Sequence, residues 1–142
     1  MVLTSTGDLL VPMTGAPASA GRARTLVDER IRKWGYFRIL SNALLVTSEL
    51  VTNASRRTPH QEIRLQLSRD GHGVVIAVWD CAYDFPRPKP KKELSLDDLD
   101  LSEEAFDDNH GWGLHIVQAL STECGATADP HGGKWVWSRL TP

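Results

Sequence analysis

Glu49 and Asn53 stand four residues apart in the stretch Thr47-Ser48-Glu49-Leu50-Val51-Thr52-Asn53-Ala54. At the helical period they lie one above the other, and Arg57 extends the row by another four residues. A carboxylate and a carboxamide oxygen are hard ligands suited to magnesium and to orienting water. Taken alone, such a row also reads as the ordinary polar edge of a helix. Two further groups add to it. Asp80 ends the apolar run Val74-Val75-Ile76-Ala77-Val78-Trp79. A carboxylate there can accept a hydrogen bond from an exocyclic amine, the means by which a protein recognises adenine, or it can simply close a strand into a turn. Gly111-Trp112-Gly113-Leu114 opens another helical segment. Glycines there let backbone N–H groups approach a phosphate at the positive end of the helix, although paired glycines also occur as plain loop chemistry.

The elements that must position these groups follow from periodicity. Leu40, Ala43, Leu44, Thr47, Leu50, Val51 and Ala54 recur at steps of three and four, one apolar stripe of an amphipathic helix. That helix is expected from about Phe37 to Arg57, with Pro59 barring its continuation. Ahead of it, Leu9-Leu10-Val11 reads as a short edge strand because Pro12 cannot donate to a ladder. A first helix carries Ala23, Leu26, Val27, Ile31 and Trp34, with Ser19 as its expected N-cap and Gly35 as its stop. After the central helix, Ile63, Leu65 and Leu67 alternate with polar residues, and Asp70-Gly71 with Gly73 signals a hairpin into the Val74–Trp79 strand. Pro86, Pro88 and Pro90 with Lys89, Lys91 and Lys92 exclude regular structure. The acidic stretch 93–110 reads as a short helix or a flap. Leu114, Val117, Ala119 and Leu120 supply the apolar contacts of the last helix. A second hairpin turns at Asp129-Pro130-His131-Gly132-Gly133 and ends in Trp135-Val136-Trp137. Strands paired through hairpins, with helices collected together, predict an α+β fold: a two-layer sandwich with helices on one face of a mostly antiparallel sheet.

The bulk numbers narrow the function classes. A length of 142 residues with 41% hydrophobic content predicts a single domain over residues 1–142, with 1–7 as a loose N-terminus. A net charge of −2 argues against direct nucleic-acid binding. No run approaches the roughly 18 apolar residues of a membrane span, and no secretion signal is evident. Cys81 and Cys124 stand far apart without metal-ligand spacing, as expected of free thiols in the cytoplasm. The five histidines, at 60, 72, 110, 115 and 131, show no metal spacing either.

The order and spacing of these motifs resemble the GHKL (histidine kinase-like) ATPase superfamily, and within it the bacterial anti-sigma factor serine/threonine kinases. The resemblance runs from about Leu9 to Leu140. Ser48-Glu49-Leu50-Val51-Thr52-Asn53-Ala54 is similar to the N box. Asp80 with Pro86 stands where the first glycine box carries its Asp and Pro. Gly111-Trp112-Gly113-Leu114-His115-Ile116-Val117 resembles the second glycine box, and Gly132-Gly133-Lys134-Trp135-Val136-Trp137 the closing strand. The resemblance implies the Bergerat fold and ATP with Mg2+ as ligands. Asn53 would bind the Mg2+ that bridges the phosphates, and Glu49 would act as general base on water or a substrate hydroxyl. Asp80 would hold the adenine amine. Arg57, Ala82, Gly111, Gly113 and Leu114 would complete the nucleotide site, and residues 87–110 would form the ATP lid. By the same likeness the chain would phosphorylate a serine of an anti-anti-sigma partner, sequester a sigma factor, or both, and would pair as a homodimer.

Three departures from the family pattern motivate an alternative. Asp80-Cys81-Ala82-Tyr83-Asp84 replaces Asp-x-Gly-x-Gly and brings the Asp84 charge near a triphosphate. Arg57 replaces a frequent His. Trp135 replaces a Thr that lies near adenine in relatives, so its ring is expected beside the base, stacking on it or crowding it. Trp79 and Trp112 are also expected near the site. The alternative is a degenerate, non-catalytic binding module that regulates partners with weak or no ATP turnover.

Overall fold

A computed structural model describes residues 8–82 and 112–142 of the chain. The Pro/Lys run from Pro86, the acidic stretch 93–110, the expected lid over 87–110 and Gly111 lie outside the described residues. The described residues form five strands and three α-helices: β1 (Leu9–Thr14), α1 (Pro17–Trp34), α2 (Leu40–Arg57), β2 (Glu62–Asp70), β3 (Gly73–Asp80), α3 (Trp112–Leu120), β4 (Glu123–Ala128) and β5 (Lys134–Leu140). The sheet runs β1-β2-β3-β5-β4 and every pairing in it is antiparallel. The helices lie on one face, which is the α+β sandwich the hairpin signals predict. None of the described helices is long and apolar enough to cross a membrane.

Local sequence explains most boundaries. Pro12 falls in β1, which among the described strands pairs with β2 alone and so lies at the edge of the sheet, where a strand tolerates proline. Pro17 occupies the first turn of α1 behind an extended Ala16, so the helix starts two residues before Ser19. Ser19 is thus not the cap; its buried hydroxyl donates to the Thr14 carbonyl instead. Gly35 ends α1 in the left-handed region, φ 79°, and the Gly35 and Tyr36 N–H groups close back on Arg32 and Ile31. Phe37–Ile39 forms one 3-10 turn rather than the first turn of α2. At the far end of α2 both the backbone N–H and the hydroxyl of Thr58 return to the Ala54 carbonyl, and Pro59 follows.

The helix face of the sheet builds the core. Ile63, Leu65 and Leu67 of β2, Val74, Ile76 and Val78 of β3, and Val136 and Leu140 of β5 point inward. They meet Ala23, Val27 and Ile31 of α1, Ala43, Val46, Leu50, Val51 and Ala54 of α2, and Val117 of α3. Alternation places the intervening residues on the opposite face. Arg64, Trp79 and Trp135 form one row there, with Ala77 and Trp137 in the next. Each indole N–H is used within the hairpins: Trp79 donates to the Gly132 carbonyl at 2.9 Å, Trp135 to Asp129 at 2.9 Å and Trp137 to Thr127 at 3.3 Å. The Arg64 guanidinium covers the Trp79 ring at 4.2 Å.

The β4–β5 turn depends on backbone space. Gly133 has φ 74°, and a Cβ added there would strike the Asp80 carbonyl and lie 2.7 Å from the Trp79 indole nitrogen. Gly132 is also left-handed, φ 114°, but a Cβ there meets nothing within 4 Å. Gly133→Ala is therefore expected to destabilise the fold by about 2–3 kcal/mol, through strain and collision together. Gly132→Ala should cost clearly less, through strain alone. Urea unfolding of both variants checks this; equal losses would show that the close approach at Gly133 is immaterial.

Candidate functional site

The topology sets Asp80 and the start of α3 at the end of the sandwich toward which α2, with its Glu49/Asn53 row, runs. α2 runs toward the turn that starts β2, and Asp80 closes β3 beside that turn, where the Cys81 thiol bonds Gln61 at 2.8 Å. α3 runs the other way. Its C-terminal end is tied to the far end of β5 by Thr122 N–H to the Arg139 carbonyl and by the Ser121–Ser138 hydroxyl contact. The start of α3, with Gly113 and Leu114, therefore faces the Asp80 end. Asp80 shares its parity with Val74, Ile76 and Val78, so it points to the helix face, the face that α2 covers.

On α2 the buried stripe separates two margins. Ser48, which accepts from Arg24 at 2.7 Å, and Ser55, beside Pro17 and Ala20, mark the side toward α1. Glu49 and Asn53 fall on the other margin, and α3 is the other helix packed on α2. Both are half-buried. Burial pushes the Glu49 carboxyl above the ordinary glutamate value of 4.5, because desolvation disfavours the charged form. Arg57 continues the row in the last turn of α2, at the Asp80 end, and it is not without an interaction partner. Leu114 is half-buried and lines a small cavity of about 120 Å³ with Val117, Cys124, Val136 and Trp137. A larger hollow of about 410 Å³ lies elsewhere, between the start of α1 and the end of α2, lined by Gly15, Pro17, Ser55, Arg56 and His60.

Asp80 departs from the sequence reading in one respect. It is not a lone acceptor. The Lys134 ammonium meets its Oδ1 at 2.6 Å, and the Ala82 N–H donates to the same oxygen at 3.0 Å. Both members of the ion pair are 1% exposed. Cross-strand register makes the pair, since Asp80 lies directly opposite Lys134. Sequence reasoning left Lys134 out of the site. The signal that could have found it is its parity with Val136 and Leu140, because a lysine at an inward position demands a buried carboxylate.

The tryptophan expectations need correction. Trp135 and Trp79 stand on the sheet face away from the helices, where Trp135 bonds Asp129 and Trp79 bonds Gly132. Neither ring is beside Asp80 on the helix side, because each is one residue out of phase with an inward neighbour.

The donor set suits Mg2+ in one way. Mg2+ keeps several waters and takes one or two protein oxygens beside phosphate oxygens. Among the described residues no group of three or more His, Cys, Asp or Glu could hold a metal alone, so a single carboxamide ligand such as Asn53 fits that chemistry better than a closed cage does. The first turn of α3 carries no acidic residue, so no charge within that turn opposes an anion at its positive end.

With that geometry in hand, comparison with known families gives a match over residues 13–140 to the histidine kinase-like ATPase domain. A comparison with curated proteins finds no match.

Proposed function

Since the chain belongs to the histidine kinase-like ATPase domain family, whose domains bind ATP, we propose that it is an ATP- and Mg2+-dependent regulator of the anti-sigma type. In this reading it phosphorylates a serine of an anti-anti-sigma-like protein, sequesters a sigma factor, or does both, and it works in the cytoplasm as a homodimer. What supports the reading is that the Glu49/Asn53 margin of α2 lies on the side away from α1, and that Asp80 and the start of α3 lie toward the end of the sandwich at which α2 finishes.

Each residue then has a role in the site. Asn53 offers its carboxamide oxygen to the Mg2+ that neutralises phosphate charge. Glu49, with its raised pKa, accepts the proton of the attacking hydroxyl or water. Asp80 reads the base, with Ala82 beside it. Arg57 adds positive charge at the phosphate end. Gly111, Gly113 and Leu114 let the helix start approach the phosphates.

The metal role is tested by calorimetry with ATP, with and without Mg2+. Wild-type affinity is expected to rise at least tenfold with the metal, and Asn53→Ala is expected to bind equally in both conditions. A variant that keeps the full Mg2+ gain would remove Asn53 from the metal site.

A further inference from the structure

The hollow of about 410 Å³ between the start of α1 and the end of α2 lies on the α1 side of α2, the margin opposite Glu49 and Asn53. It has no part in the nucleotide site and does not rest on that reading. Its volume is ordinary for a small-molecule site. Two loops hold it in shape. The Gly15 N–H bonds the Gln61 carbonyl at 2.8 Å, and the His60 N–H bonds the Gly15 carbonyl at 2.9 Å. His60 sits in the left-handed region, φ 64°. Gly15 presses directly on the end of α2: a Cβ there would lie 2.6 Å from the Thr58 carbonyl oxygen and 3.3 Å from Ser55 Cα. Backbone contacts thus fix the walls in the free protein, which lowers the cost of ordering them around a ligand.

The lining is chemically one-sided. Pro17 and Pro59 give apolar walls, Thr52, Ser55, Arg56 and His60 give polar ones, and none of the described residues that line it is acidic. A guanidinium such as that of Arg56 pairs well with a carboxylate or a phosphate. The start of α1 adds its positive end, with no acidic residue in the first turn and no side-chain cap. The negative end of α2 is offset by Arg56 and Arg57 in its last turn. Ser55 supplies a separate sign of a missing partner. Its hydroxyl is buried and makes no hydrogen bond, whereas the hydroxyls of Thr47 and Thr58 each bond the carbonyl four residues back. An unfilled buried hydroxyl is costly, and no bond restrains its rotamer from turning toward a ligand oxygen.

We propose that this hollow binds a small oxyanion, a carboxylate or a phosphate monoester, that carries a short apolar body. The head meets Arg56 and Ser55, and the body lies against Pro17 and Pro59. Amide-resolved NMR titration of the full chain tests it, with Mg2+ and ATP present throughout and with butyrate, butyl phosphate, inorganic phosphate and butanol as probes. Butyrate, butyl phosphate or both are expected to bind with a Kd of about 1 mM or tighter, shifting the Ser55, Arg56 and His60 amides, and at least tenfold tighter than inorganic phosphate or butanol. Whichever binds identifies the head group. Arg56→Gln is expected to weaken that binding at least tenfold. Ser55→Ala is expected to weaken it about threefold while the melting temperature of the free protein holds or rises, because the unfilled hydroxyl is gone; a hydroxyl serving the fold alone would lower the melting temperature and leave binding unchanged. Absence of binding by both amphiphilic anions overturns the proposal. So do shifts confined to the Asp80 end, butanol binding as tightly as the anions, or affinity unchanged in Arg56→Gln. Should Arg56→Gln fail to fold, the ranking of the four probes on the wild type decides alone.

Discussion

Glu49→Gln is expected to lower ATP turnover by about two to four orders of magnitude, the usual contribution of a positioned general base. Nucleotide affinity should stay within about threefold, because glutamine keeps the size and polarity of the side chain. Phosphate release, or transfer of labelled phosphate to a seryl acceptor, gives the first quantity and calorimetry the second. The half-buried position of Glu49 on the α2 margin carries the expectation. Desolvation raises its pKa, which makes the ionised carboxylate a better proton acceptor at neutral pH. The same desolvation has a stability consequence of fixed sign. A carboxyl whose folded-state pKa is raised binds its proton more tightly in the native state than in the unfolded chain. Its contribution to stability is full below the ordinary value of 4.5 and is lost as pH rises through the folded-state value. Glu49→Gln should therefore raise the melting temperature at pH 7, by about 1–3 °C, and this gain should vanish near pH 4. Turnover within threefold of wild type would remove the general-base role and leave the non-catalytic binding module as the better account. A gain that grows toward acid pH would contradict the burial argument independently.

The readable parts of this chain were those with local causes. The stripe on α2 needed only a period of 3.6: Ala43, Thr47, Leu50, Val51 and Ala54 are buried as the spacing selects, whereas Leu40 and Leu44 are only partly buried and Val46, which it did not select, is buried too. Gly35, Pro59 and the Asp70–Gly73 hairpin each act within a few residues, and each ends or turns an element as expected. Ser19 misled because a cap preference competes with the stronger demand of Pro17 for the first turn. The site divides in the same way. The Glu49–Asn53 row is a single-helix feature and was visible. Asp80 was visible as the end of an apolar run, but its partner lies 54 residues away and meets it through strand register. Register is a tertiary property, fixed by which residues of β3 and β5 must share the core. The same parity sends Trp135 to the opposite face, which a motif comparison cannot report, since adjacent letters of a strand face opposite ways.

Removing either partner of the Asp80–Lys134 pair alone is expected to cause the largest stability loss in the chain. Lys134→Met deletes the ammonium and strands a carboxylate that is 1% exposed, to which the Ala82 N–H still donates. Asp80→Asn leaves the ammonium without its counter-charge in turn. Breaking a buried pair from one side costs about 3–5 kcal/mol, because the remaining charge has lost both water and partner. For a chain of this length that corresponds to a fall of roughly 10 °C or more in melting temperature. Asp80→Asn with Lys134→Met removes both charges and keeps near-native volume, so it should recover more than half of the loss. Non-additivity is the informative result, since the two side chains touch and sites far apart would simply sum. Thermal melts of the two single variants and the double variant complete the cycle. Losses that add would mean that solvent reaches these charges and screens them separately. Recovery of stability in the double variant, with ATP affinity lost, would instead divide two roles: the fold requires only that no charge be left alone there, whereas nucleotide binding requires the charged Asp80 acceptor.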